Sequence, residues 1–356
     1  MPDSAAAPGP AELSSLAGQP RPAGQSDFPE RPRLTVVGEA LIDLVPGDGA
    51  GCYQARPGGS PFNVATGLAR LGHRTTLMAR MADNAFGRLL RRQAAAEGID
   101  LGAAPLAAQL TTLAVVGLDA DGRASYDFYL EGTADWQWSA AEMALAPADT
   151  AIFQLGSLAS WTPPGSELIH AAAAALHRAG AALVSYDPNV RPALLGAPAR
   201  ARPLVERSVS VAHLVKASRD DIGWLYPEAT VEQVAGRWLE LGALLVVITD
   251  GPDGALVFPA AGAPARRPGR EVKVADTIGA GDAFSAGLLG GLARRGLLTP
   301  DLLRSCPPGL LADVVAEAVL VSALTCERTG ADPPRAAAGA WSKDGVLTPA
   351  DLTFAS

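Results

Sequence analysis

Lysine is nearly absent from this chain of 356 residues, which holds three of them against 26 arginines. Acidic residues outnumber both together, giving a formal net charge of −8, which argues against nucleic acid or an anionic membrane as a partner. Cysteine is as scarce. Cys52, Cys306 and Cys326 are scattered and odd in number, so neither a disulfide framework nor a CxxC metal site is expected, and a reducing cytoplasm fits. The four histidines, His73, His170, His177 and His213, show no zinc-ligand spacing. No apolar run approaches the roughly 18 residues that a membrane span needs. No GxxxxGK[ST] occurs, which excludes a P-loop of the usual kind, and no fixed-period repeat is visible.

The first 32 residues are rich in Pro, Ala, Gly and Ser and lack a basic segment followed by an apolar core. They read as a disordered tail rather than a secretory signal, with one domain expected over residues 33–356. Within it, short β-branched apolar runs at 34–38, 150–155, 181–186, 212–217 and 244–249 alternate with helix-like stretches such as "SELIHAAAAALHRAG" and "TVEQVAGRWLELG". Strand followed by helix, repeated, predicts a doubly wound α/β core with a mostly parallel sheet covered by helices on both faces. Two stretches break the alternation. Residues 39–59 and 112–132 read as strand, Gly/Asp turn, strand, the second around a "DADG" turn. They predict a small β subdomain built from about 40–60 and 110–132, either a lid over a site or an insertion without one.

The segment "DTIGAGDAFSAG" (276–287) sets Gly279, Ala280 and Gly281 directly before Asp282 and a helix-like run. Unpaired N–H groups at a helix start form an anion site, and glycine lets a phosphate approach them. Asp282 in that first turn could accept the proton of a hydroxyl attacking phosphorus, or it could simply favour the helix start. "GAGDAF" also begins like a dinucleotide fingerprint, but it ends in Phe284 and comes late in the chain, so a Rossmann oxidoreductase is disfavoured.

With its neighbours, the segment resembles the C-terminal signature of the ribokinase-like (PfkB) carbohydrate kinases. The likeness runs over nearly the whole chain after residue 32. "GEALIDLV" resembles the family's first strand, which ends in a sugar-binding aspartate, here Asp43. "RPGGSPFNVATGLARLG" resembles its glycine signature, matched at Gly58, Gly59 and Asn63, and "SYDPNVRPAL" its DPNxR segment, with Arg191. "VITDGPDGALVF" matches the strand and turn that hold the nucleotide (Thr249, Gly251, Gly254), and "ALTCERTGADPP" the helix end beside the adenine (Cys326). Within the family the fructokinases look most alike.

The resemblance implies ATP-dependent phosphoryl transfer to a primary hydroxyl of a sugar, fructose first. 2-Keto-3-deoxygluconate, ribose or a nucleoside are the alternative acceptors, and a non-catalytic sugar- or nucleotide-sensing module is the alternative of another class. It implies Asp282 as general base, residues 279–281 as the anion hole, Asp43 as the sugar's hydrogen-bond acceptor, and Mg²⁺ held mostly by phosphates and water. A monovalent cation, K⁺ above all, makes Asp276 a candidate ligand, with a turn-capping role as the alternative. The family's N-x-x-E segment is replaced by "KASRDDIGW", which leaves Ser218 and Asp221, the latter for Mg²⁺ through water. Lys216, after an apolar run, is expected near the phosphates. Arg191 can face an anion or pair with an acid, and Trp136 and Trp138 line the sugar pocket or pack in the core. Exposed edges of the β subdomain suggest a homodimer.

Overall fold

The structure is a computed structural model and describes residues 31–49, 51–118, 124–337 and 346–354. Nearly all of the expected N-terminal tail and the "DADG" turn lie outside the described residues.

Eight strands form the main sheet, in the spatial order Ala265–Arg267, Ala255–Pro259, Leu245–Thr249, Leu214–Ser218, Leu183–Asp187, Thr150–Gly156, Arg33–Val37, Arg74–Met78. The last six pair in parallel, and the first two add an antiparallel margin. Side chains alternate between the faces of a strand, so a strand buried on both sides must be apolar throughout. Leu245–Thr249 shows the consequence. Leu245 and Val247 join the core cluster beneath the helices Ser60–Arg70, Ala280–Arg294 and Pro308–Cys326. Val246 and Ile248 join the opposite cluster, under Gly165–Ala179, Pro198–Val209 and Val231–Glu240.

Two sequence expectations need correction. The first core strand ends at Val37, and Asp43 lies on a separate strand, Leu41–Pro46. That strand belongs to a four-stranded sheet in the order Tyr53–Gly58, Leu41–Pro46, Leu113–Leu118, Ala124–Tyr129, where Asp43 faces Arg56 on one side and Ala114 on the other. The β-rich stretches therefore do form a sheet of their own. Second, the helix Pro308–Cys326 is long and apolar enough, by length and composition, to cross a membrane. About half of it is buried within the protein, and its midpoint carries Glu317, ion-paired with Arg294 and Arg295. It is packed as a core helix against Ala280–Arg294.

Candidate active site

The helix Ala280–Arg294 starts on Gly279, whose φ of 75° is a left-handed conformation that glycine adopts without a steric cost. Asp282 follows in the first turn. Its Oδ1 accepts a hydrogen bond from Ser60 Oγ at 2.6 Å, and its Oδ2 accepts one from Asn63 Nδ2 at 2.9 Å. Both donors come from the helix Ser60–Arg70, so the glycine signature and the C-terminal signature meet at this carboxylate. Burial raises its pKa above the ordinary carboxylate value, against the opposing pull of Ser60, Asn63 and Lys216.

Lys216 is buried on its strand and donates to Asp187 Oδ2 at 2.9 Å. Burial works against the ammonium charge, but Asp187, with Asp221 and Asp282 behind it, outweighs that and holds the pKa above its ordinary value. A Cβ on Gly281 would lie 3.1 Å from Lys216 Nζ. A permanent cation thus stands beside the N–H groups that open the helix, where an anion gains from both.

Asp43 faces this arrangement from the four-stranded sheet. Burial lifts its carboxyl to about 6; Arg191 opposes the shift and Asp282 adds to it. A Cβ on Gly58 would fall 2.0 Å from Asp43 Oδ2, so only glycine leaves room for that carboxylate. Among the described residues, Arg191 directs its hydrogen bonds to its own loop rather than to a core acid. It donates to Asn189 Oδ1 at 2.7 Å and to the carbonyls of Asn189 and Val190.

These groups line one cleft of about 760 Å³: Asp43, Gly59, Asn63, Arg191, Lys216, Gly279, Gly281 and Asp282. Val45, Arg56, Val116 and Phe128 of the four-stranded sheet form another part of its wall, so that sheet covers the site. Gly58 and Ala280 lie one residue from lining positions. Thr249, Gly251, Gly254 and Cys326 do not line the cleft. Nor do Trp136 and Trp138, which are buried in the core beside Ile169, so packing is their role here.

The metal assignments find less support. Asp276 accepts backbone N–H groups from Ile278 and Gly330, the turn-capping role, and it ties the two loops together. Asp221 accepts from Val190 N and Ser218 N and completes a capping box at the helix Arg219–Leu225. Among the described residues no group of three side chains could hold a metal ion. Both carboxylates are engaged by backbone N–H groups rather than gathered into one cluster.

Sequence reasoning missed several wall residues. Ser157 and Asn189 both have positive φ, 53° and 39°, which is uncommon outside glycine and concentrates at functional sites. Asn189 Nδ2 donates to Ser157 Oγ at 3.2 Å, joining the two strained turns at the ends of neighbouring strands. Ser60 was passed over between two glycines and an asparagine. Asn189 alone had a signal, since asparagine tolerates the left-handed region.

A helix start ready for an anion, a buried lysine beside it, and a carboxylate facing a polar pocket are the parts of a phosphotransferase acting on a hydroxyl acceptor. The chain belongs to the pfkB family of carbohydrate kinases, whose model matches residues 31–337. Among its relatives, a fructokinase of Klebsiella pneumoniae is 35% identical over 286 residues, 78% of this chain and 89% of that protein. A fructokinase of Xylella fastidiosa solved with bound ATP has a TM-score of 0.76 at 27% identity, covering 84% of this chain and 93% of that one. A fructokinase of Vibrio cholerae with fructose, ADP and potassium ion has a TM-score of 0.74 at 30% identity, covering 85% and 94%.

Proposed function

We propose that the protein is an ATP-dependent fructokinase. The observation that carries the chemistry is the juxtaposition of Asp282, Lys216 and the N–H groups at 279–281 in the same cleft as Asp43. The fructokinase relatives support fructose as the acceptor.

Asp43 accepts hydrogen bonds from sugar hydroxyls, with Gly59 and Arg191 completing the polar wall. A buried polyol needs such paired groups for every hydroxyl. Asp282 takes the proton of the primary hydroxyl as its oxygen bonds to the γ-phosphorus. The bond from that phosphorus to the bridging oxygen breaks, and ADP leaves with the electron pair. Lys216 and the N–H groups of 279–281 stabilise the negative charge spread over the transferring group. Mg²⁺, when bound through the phosphates, neutralises triphosphate charge. Thr249, Gly251, Gly254 and Cys326 are assigned to the nucleotide, and Asp276 to capping the turn that precedes the helix.

In this reading the four-stranded sheet is a lid. Its outer strands, with Tyr53 and Tyr129 about half exposed or more, leave edges on which a second copy can pair. Sedimentation at micromolar protein should show a dimer, and a monomer would refute that part. The free thiols suit the cytoplasm as compartment.

A coupled ADP-release assay tests the whole, with ATP, Mg²⁺ and K⁺ over fructose, ribose, 2-keto-3-deoxygluconate and adenosine, and with Asp282→Asn as the blank. Fructose should stand well above the blank and above the other acceptors. Another acceptor leading would reassign the substrate. Silence throughout, with sugar binding intact by calorimetry, would favour a sensing module.

A further inference from the structure

The Asp282 carboxylate is not held by its own helix. Ser60 Oγ donates to its Oδ1 at 2.6 Å, the shorter of its two side-chain hydrogen bonds, across 222 residues of sequence. Ser60 is the first residue of the helix Ser60–Arg70, directly after Gly59, whose φ of 100° turns the chain into that helix. The serine is therefore placed by a rigid element rather than by a loop, and both Ser60 and Asp282 line the cleft.

We propose that Ser60 is a positioning residue for the phosphoryl transfer, its hydroxyl fixing the orientation of the Asp282 carboxylate that receives the acceptor's proton. The inference rests on the reading of Asp282 as general base. A hydroxyl donating to one carboxylate oxygen leaves that oxygen a second lone pair, so Ser60 can hold the group without closing it to an incoming hydroxyl. With Asn63 fixing the other oxygen, the carboxylate plane has little freedom to rotate. A base held within a few tenths of an ångström of its proton does better than a swinging one, and this is where a supporting hydrogen bond acts.

The hydroxyl also bears on ionisation. Several charges face the Asp282 carboxylate. Lys216 favours its charged form, whereas the buried Asp187 and Asp43 from the four-stranded sheet oppose it. Burial opposes it most. Ser60 and Asn63 are the two hydrogen-bond donors working the other way, so removing either should make the base harder to ionise.

The test is Ser60→Ala with the full chain, measured as kcat and KM against pH, with Ser60→Thr and Asp282→Asn in parallel and thermal melts on each. Turnover that needs the ionised base falls on the acid side of the profile. Losing a donor to the charged form should move that limb upward by about one pH unit. Ser60→Ala should thus lose about tenfold in kcat on the acid side and much less at high pH, with sugar KM within about twofold. Ser60→Thr, which restores a hydroxyl, should bring the profile back. A Ser60→Ala profile that superimposes on wild type overturns the inference. So does a raised sugar KM at unchanged kcat, which would make Ser60 a substrate contact, or an equal loss in Ala and Thr variants. If Asp282→Asn itself keeps near wild-type turnover, the reading of the base fails instead, and the two failures are told apart.

Discussion

The helix Ala280–Arg294 carries a charged side chain near each end, and the two ends are built to opposite purposes. At the C-terminal end Arg294 and Arg295 close on Glu317, which is 1% exposed. Glu317 Oε1 accepts from Arg295 at 2.8 Å and from Leu347 N at 2.9 Å, while Oε2 accepts from Arg294, so both oxygens are engaged. At the N-terminal end Asp282 has two donors and shares the buried Lys216 with Asp187 and Asp221, while Asp43 stands near Asp282 with Arg191 as its opposing charge. That end opens on the cleft; the other does not. A buried cluster in which every charged side chain has an ionic partner locks two helices together. At the cleft end burial raises the pKa of Asp43 and of Asp282, with a neighbouring acid adding to each, and carboxyl groups perturbed in this way on an open cleft are suited to proton exchange.

The sharpest way to break this contrast is to neutralise each end. Asp282→Asn keeps the shape and removes the base, so kcat should fall by about 10³-fold or more while sugar binding by calorimetry survives. Near wild-type turnover would make Asp282 a helix-start charge and nothing else. Glu317→Gln should do the reverse. It leaves two arginines without their carboxylate in the core, and the denaturant midpoint should drop by an equivalent of about 3–5 kcal/mol. KM for sugar and for ATP should not move in the fraction that stays folded. A Glu317 variant with native stability but altered KM would mean that the two ends of the helix are coupled, and the comparison would fail.

How much of this was legible in the sequence depends on the range of the interaction. The strands at 245–249 and 214–218 announced themselves, because burial on both faces forces continuous apolar runs. The helix start after Gly279 was legible for a similarly local reason, small residues ahead of an apolar run. Asp43 was found, but on the wrong element, since nothing local says that the chain leaves the core sheet at Gly38 before the next strand begins. Ser60 meeting Asp282 could not be read, because the contact joins segments that only the packed helices bring together. Glu317 interrupts the apolar run of Pro308–Cys326, and only the packed structure shows the two arginines that pair with it. The paired strain at Ser157 and Asn189 also needs the sheet, which sets two strand ends side by side.

The smallest effect sharpens the contrast at the cleft itself. Asp43 has a pKa raised to about 6 in the sugar-free protein, so near pH 7 it is mostly ionised and ready to accept from hydroxyls. As pH falls through that value the proton occupies the site that the sugar needs. Sugar binding and proton binding then compete, and the sugar Kd should rise by up to about tenfold per pH unit below about 6. Measuring Kd by calorimetry without nucleotide keeps the ionisation of Asp282 out of the turnover, since no transfer occurs. Asp43→Asn cannot titrate, so its weaker binding should be flat over the same range. A wild-type Kd that does not change between pH 7 and 5 would show that Asp43 does not accept from the sugar.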